Sequence, residues 1–159
     1  MRMNEFHSPR AALREVPFDG PEALALIAEL QQEYVARYGG PDETPVEPRA
    51  FEPPEGAFLV AEWDGRLAGC AGLRKHDADV AELKRMYVRS AYRRQGLARV
   101  LLSAAEERAR ALGYRRLVLE TGAEQPEALA LYLATGYQPF ENFGYYRESG
   151  LDRSFIKDL

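Results

Sequence analysis

Between Val80 and Thr121 the sequence reads as a strand, a basic glycine-bearing turn, a helix and a second strand. The first strand runs from Val80 to Arg89. The helix, Leu97 to Leu112, carries Leu97, Leu101, Ala104, Ala105, Ala109 and Leu112 on one face, and Gly113 stops it. Glu106, Glu107, Arg108 and Arg110 are expected on its wet face. The second strand, Tyr114 to Thr121, contains the continuous apolar run Leu117-Val118-Leu119. A strand, a crossover helix and another strand set the two strands parallel and adjacent, so this segment fixes the centre of a sheet.

The turn inside that unit is Arg93-Arg94-Gln95-Gly96-Leu97-Ala98. A strand feeding a glycine turn that opens a helix makes backbone N–H groups converge, and the helix N-terminus carries roughly +0.5 of a charge. A Cβ at position 96 would hold an anion away from the backbone, and Ala98 is small enough for close approach. Arg93, Arg94 and Arg99 add attraction for a polyphosphate. The run is neither the nucleotide loop GxxxxGK[ST] nor the dinucleotide fingerprint GxGxxG.

Elsewhere, residues 1–10 read as a loose tail and Ala11 to Val16 as a short strand. A helix follows from Pro21 to Tyr38, with Leu24, Ile27, Leu30, Tyr34 and Tyr38 as its apolar face and Gly39-Gly40 as its end. From Pro41 to Gly56 five prolines and the acids Asp42, Glu43, Glu47, Glu52 and Glu55 surround a single Arg49. This stretch reads as a loop holding one helical turn near Pro48 to Phe51, either mobile or functional. As a flexible acidic flap it would favour a cationic substrate. Ala57 to Trp63 and Arg66 to Arg74 are strands joined by the hairpin turn Asp64-Gly65, and with Val80 to Arg89 they imply an antiparallel meander. Pro126 to Thr135 is a shorter helix, Tyr137 to Phe140 with Gly144 to Arg147 one interrupted strand, and Ser154 to Leu159 the last. The sum is an α+β fold: a mixed, mostly antiparallel sheet of seven strands with about four helices, in one domain over residues 1–159.

Composition narrows the function. A net charge of −4 and a pI near 5.3 argue against a nucleic-acid binder, while a local basic patch at residues 89–99 suits a small anionic cofactor. Cys70 is the only cysteine, so no disulfide forms within the chain, and His7 and His76 lack ligand spacing, so no metal site is expected. No apolar run has the length of a membrane span, and the N-terminal MRMNEFHSPR has no apolar signal core, which makes a cytoplasmic protein the expectation.

Taken in order, these features resemble the GNAT superfamily of acyl-CoA-dependent N-acetyltransferases. The family's [QR]xxGx[GA] signature corresponds to Arg93-Arg94-Gln95-Gly96-Leu97-Ala98, and a second segment, ALALYLATGY from Ala128 to Tyr137, matches its Tyr-xxx-Gly-aromatic pattern. The runs AELKRMYV and LVLET are similar to its central strands. The likeness covers roughly Phe58 to the C-terminus; the first 55 residues match only in the order of their elements.

The resemblance implies a central parallel strand pair that splays apart for acetyl-CoA. Pantetheine would lie against Met86, Tyr87 and Val88 of the fourth strand, and pyrophosphate would take the amides of Arg94 to Arg99. Gln125 stands where relatives often place an Asn touching pantetheine. Tyr132 would protonate the departing thiolate, although Leu129, Tyr132, Leu133 and Tyr137 also fit a helical core face. Two carboxylates compete for the base: Glu82, eleven residues before Arg93, is preferred over Glu120, twelve before Tyr132, and some relatives use a water chain instead. An alkylamine near pKa 10.4 is only about one part in 10³ neutral at pH 7, so a base matters more than an acid for a thiol near 8.5.

The acceptor pocket is expected from the Pro41–Gly56 loop, the helix before it and the Phe140–Arg147 segment. Phe140, Phe143, Tyr145 and Tyr146 form an aromatic group there, and Arg74, Arg85 and Arg147 are available to a carboxylate. The reading is acetyl transfer to a small primary amine by direct attack in a ternary complex, without metal. Its rivals are acetylation of a peptide or protein amine and a non-catalytic acyl-CoA-binding regulatory domain. A homodimer is compatible with it, as is common among look-alikes.

Overall fold

The computed structural model describes residues 10–159, so all of the expected tail except Arg10, and His7 with it, lies outside the described residues. Seven strands form one sheet: β1 Ala11–Glu15, β2 Ala57–Trp63, β3 Arg66–Asp77, β4 Val80–Val88, β5 Arg116–Gly122, β6 Gln138–Phe140 and β7 Asp152–Asp158. Their order across the sheet is β1-β2-β3-β4-β5-β7-β6, and only β4 and β5 run parallel. Three α-helices accompany them, α1 Pro21–Tyr38, α2 Leu97–Ala111 and α3 Pro126–Ala134. The fourth expected helix is a 3-10 turn over Pro48–Phe51.

Alternation along the strands divides the core between the two faces. In β2, Leu59, Ala61 and Trp63 pack with Leu97, Leu101, Ala104 and Ala105 of α2, while Phe58 and Val60 pack with Ala23, Leu26 and Leu30 of α1. The apolar face of α1 is therefore one residue out of the expected register at its start: Leu24 is 51% exposed and Ala23 is buried. β3 tolerates its glycines because neighbours close in on them. A Cβ at Gly72 would meet the rings of Phe51 and Phe58 at 2.9–3.0 Å.

Three further expectations are corrected. Glu106 is buried rather than wet, because the Tyr137 hydroxyl donates to it at 2.7 Å and Lys157 at 3.1 Å. Residues 144–147 form turns rather than strand, and the last strand starts at Asp152 instead. The Pro41–Gly56 segment is not a flexible flap. Gln31 closes both polar groups of the Asp42 backbone at 2.7 and 3.1 Å, Arg74 donates to the Pro45 carbonyl at 3.0 Å, and Phe51 stacks on Phe18 at 4.4 Å.

Candidate active site

β4 and β5 pair only from Val80–Leu83 against Arg116–Leu119. Beyond Leu83 and Leu119 they part, and a cleft of about 880 Å³ opens between them, walled by the start of α2, the C-terminal end of α1, residues 39–44 and α3. A bulge in β4 shapes its floor. Cys70 lies opposite Tyr87 and Gly72 opposite Lys84, so β4 spends one residue more than β3 over this stretch. Arg85 takes up the excess with φ +57°, a left-handed backbone that costs a non-glycine residue about 1 kcal/mol. As a result the consecutive side chains of Lys84 and Arg85 both reach Asp42.

At one end of the cleft lies the turn before α2. Arg94 and Gly96 are left-handed, with φ +64° and +83°, and Gly96 is the residue from which the helix starts. The amides of Arg94, Gln95, Gly96, Leu97, Ala98 and Arg99 donate to no acceptor among the described residues. These free donors, with space above Gly96, fit a diphosphate. Gly96 thus serves the turn's conformation as well as close approach. Of residues 93–99, Arg93, Arg94, Gly96, Leu97, Ala98 and Arg99 line the cleft and Gln95 does not. Arg93 is spoken for: its Nε donates to the Val88 carbonyl at 2.8 Å and its guanidinium pairs with Glu33. Arg94 and Arg99 are exposed.

Midway, Met86, Tyr87 and Val88 line the β4 wall. The Tyr87 side chain turns toward α1, donating its hydroxyl to Glu29 at 3.1 Å. Gln125 precedes α3, and its amide reaches the Tyr38 hydroxyl at 3.4 Å, tying the β5–α3 loop to α1. Tyr132 on α3 is buried against Tyr137 and Phe155, and among the described residues the one partner of its hydroxyl is the Met86 sulfur at 3.9 Å. Burial raises its pKa, so the hydroxyl keeps its proton at neutral pH and is available as a donor.

The two carboxylates nominated from the sequence occupy different places. Glu120 lines the cleft. It faces Ser154 of β7, and Asp152 faces Gly122, which puts Glu120 and Asp152 diagonally on one face of the sheet. Burial, and then Asp152 within hydrogen-bond reach, push Glu120 up to about 7, while burial also raises Asp152. Glu120 Oε2 is buried with no partner among the described residues. Gly144 leaves the room, since a Cβ there would lie 1.7 Å from Glu120 Oε1. Glu82, in contrast, is 3% exposed, accepts from Arg74 Nε at 2.8 Å, and lines a separate shallow depression with Pro45, Val46 and His76. It sits where β4 and β5 are still paired, opposite Val118.

The acceptor end draws on residues that sequence reasoning passed over. Asp42 accepts from Arg85, from Thr44 N at 2.9 Å and from Thr44 Oγ1 at 2.6 Å. Burial works against its charge, but Lys84, Arg85 and Thr44 outweigh that and hold it below the usual carboxylate range. Asp152 and Lys84 were not singled out at all, because their roles depend on a strand register and a bulge with no sequence signature.

Of the expected aromatic group, only Tyr146 lines the cleft, and it accepts the Glu43 amide at 2.7 Å. Phe143 packs on His76 and Phe140, and Tyr145 is 51% exposed. Of the three arginines, Arg74 pairs with Glu82 and Arg147 donates to the Gly144 carbonyl, leaving Arg85 in the cleft wall. Cys70 is buried beneath the bulge, donating to the Arg85 carbonyl, and burial raises its thiol pKa. No group of acidic, histidine or cysteine side chains among the described residues has the arrangement of a metal site, and none of the described helices is long and apolar enough to cross a membrane.

Comparison with known proteins bears on this geometry. The model of the acetyltransferase (GNAT) family matches residues 24–137. The uncharacterized N-acetyltransferase YjgM of Escherichia coli is 38% identical over 93 residues, which are 57% of this chain and only 56% of that protein. IAA acetyltransferase of Azospirillum brasilense is 32% identical over 147 residues, 92% of this chain and 95% of its own. Among solved structures, a Klebsiella pneumoniae protein classed with the acyl-CoA N-acyltransferases superposes with a TM-score of 0.77 at 30% identity, covering 94% of this chain and 97% of that one. A GNAT acetyltransferase from Elizabethkingia anophelis, solved with acetyl-CoA bound, shares the fold at a TM-score of 0.69 and 18% identity, over 96% of this chain and 100% of that one. With a family model matched across most of its length, its central strands parted and a cradle of free amides at α2, the chain belongs to the GNAT family of acetyltransferases.

Proposed function

We propose that the protein moves an acetyl group from acetyl-CoA to the primary amine of a small molecule, by direct attack within a ternary complex. The observation that carries this reading is the convergence, on one cleft, of free main-chain donors at the start of α2, a protonated Tyr132 and a near-neutral Glu120. Bound acetyl-CoA supplies a thioester. The amides of Arg94 to Arg99 hold its diphosphate, with Arg94 and Arg99 adding exposed positive charge. Met86, Tyr87 and Val88 of β4, with Gln125 opposite, flank the arm that leads inward.

Glu120 is the base in this reading rather than Glu82. It lines the cleft, one of its oxygens is buried without a partner among the described residues, and a pKa of about 7 leaves it able to accept a proton near neutrality. Glu82 is committed to Arg74 and lines a different depression. The amine arrives as an ammonium, and raising its neutral fraction from about one part in 10³ is worth roughly 4 kcal/mol. Asp152 shares the negative charge with Glu120, so that the pair holds one proton more readily than two separate carboxylates. Tyr132 returns a proton to the departing thiolate. No enzyme nucleophile is required, and Cys70 is sealed beneath β4.

The test is thiol release from acetyl-CoA against a panel of small amines and a peptide, for the wild-type chain and Glu120→Gln. Turnover of a small amine that collapses in the variant supports the reading. CoA binding without thiol release on any acceptor makes the protein an acyl-CoA-binding module instead, and turnover confined to the peptide moves the acceptor to polypeptides.

A further inference from the structure

Lys84 brings into the cleft wall a positive charge that the protein's own carboxylates meet only at ion-pair distance. Its side chain is only 9% exposed, yet Nζ stands 3.8 Å from Asp42 Oδ2 and 4.0 Å from Glu82 Oε2. It makes no hydrogen bond to either, nor to any other described residue. Each carboxylate is engaged elsewhere, Asp42 by Arg85 and Thr44 and Glu82 by Arg74. The ammonium keeps some solvent access, so its donors are open to the cleft. Beside it, Arg85 Nε is a buried donor without an acceptor.

Holding an ammonium in so enclosed a wall without a hydrogen bond costs free energy that a methionine of similar length at this position would avoid. The bulge at Arg85 adds its own backbone cost to bring these two cations to the same side of β4. Both expenses fall at the acceptor end, on the side of the cleft that Glu120 and Asp152 share. We propose that Lys84, backed by Arg85, binds a carboxylate of the amine acceptor, and that the acceptors are accordingly amino acids.

The charges around Lys84 define the ligand further. Glu82 and Arg85 come from β4, Arg74 from β3, Asp42 from the segment after α1, Glu120 from β5 and Asp152 from β7. A simple carboxylic acid would meet Asp42 and the Glu120–Asp152 pair with nothing to offset them. An amino acid brings its ammonium to that pair and its carboxylate to Lys84, so both charges are answered. Lys84 itself is held below its ordinary pKa by burial, against the pull of Glu82 and Asp42, and a bound carboxylate would raise it again.

This inference takes the amine-acceptor reading as its frame, but the carboxylate site is testable without turnover. The probes are amino acids paired with the same molecule lacking the charge: phenylalanine, phenylalaninamide and phenethylamine, and likewise alanine, alaninamide and ethylamine, with the remaining proteinogenic amino acids as a screen. Each is titrated calorimetrically into the CoA-saturated full chain and assayed for thiol release from acetyl-CoA. Expected are binding of at least one amino acid and loss of about 100-fold in affinity and in kcat/KM for its amide and its decarboxylated partner. In Lys84→Met the amino acid should lose about 100-fold, mainly in KM, while the uncharged partners stay within about threefold; Lys84→Arg should recover part of the loss. Equal use of charged and uncharged members by the wild type overturns the inference. So does an equal loss for all of them in Lys84→Met, or no binding and no turnover of any amino acid. Lys84-dependent binding without turnover keeps the carboxylate site and removes the transferase reading.

Discussion

At the start of α2 the cleft is walled by Arg94 and Gly96 to Arg99 with their free main-chain amides, whereas at its other end it is walled by side chains from α1, the 39–44 segment, β4, β5 and β7. The first end needs only a backbone shape, set by two left-handed residues and a helix start. The second needs several segments in register at once. A side-chain replacement at the first end leaves most donors in place, while at the second it strands a buried charge. Losses should therefore be steep at the acceptor end and shallow at the phosphate end.

The sharpest break should come from Glu120→Gln. Turnover at pH 7 is expected to fall about 10³-fold, with the gap narrowing toward pH 10 as the amine deprotonates unaided. In the wild type kcat/KM should climb as pH rises through about 7, where Glu120 ionises. That limb should vanish in Glu120→Gln and persist in Glu82→Gln. A limb that vanished in the Glu82 variant instead would return the base to β4. The stability sign is opposite: a carboxyl whose folded pKa is raised favours the fold while protonated and loses that advantage as pH passes upward through about 7. Thermal unfolding of Glu120→Gln should therefore gain on the wild type above pH 7.

Tyr132→Phe comes next, with kcat about 10²-fold lower and KM for the amine little changed. It is smaller because a thiolate of pKa near 8.5 leaves without much help. Asp42→Asn should cost about 2–3 kcal/mol in chemical denaturation by leaving Arg85 with a weaker partner. Gly96→Val forces a branched side chain to φ +83° and should weaken CoA about tenfold in equilibrium binding, with the pH profile intact. Least of all, Arg99→Ala should weaken CoA by about threefold, and the difference should shrink at high salt. A large effect of Arg99→Ala with a small one of Asp42→Asn would reverse the contrast between the two ends.

The same contrast explains what could be read from the sequence. The end at α2 is local, so residues 93–98 between a strand and a helix marked its turn and helix start, and the parallel pairing of β4 with β5 followed from the same stretch. Tyr132 came from a motif within one helix. The acceptor end is non-local. Spacing preferred Glu82 to Glu120, and it could not see the four-residue extent of β4–β5 pairing, beyond which strand positions open on the cleft. Asp152 entered through β7, a strand whose start was placed at Ser154, and the turn assigned as strand at 144–147 instead gives Glu120 its room through Gly144. The run of acids after α1 suggested a free flap. Nothing in that run announces that Asp42 would be held by Lys84, Arg85, Thr44 and Gln31.

That knot at Asp42 bears on how this chain can change. One carboxylate both fastens the 39–44 segment to the sheet and fixes the Arg85 guanidinium beside Lys84. Variants drifting toward a new acceptor by rewriting this segment would pass through weakened folds first. Laboratory selection for altered preference should start from a background already stabilised elsewhere, such as the buried Ala104, Ala105 and Ala109 of α2, which do not line the cleft.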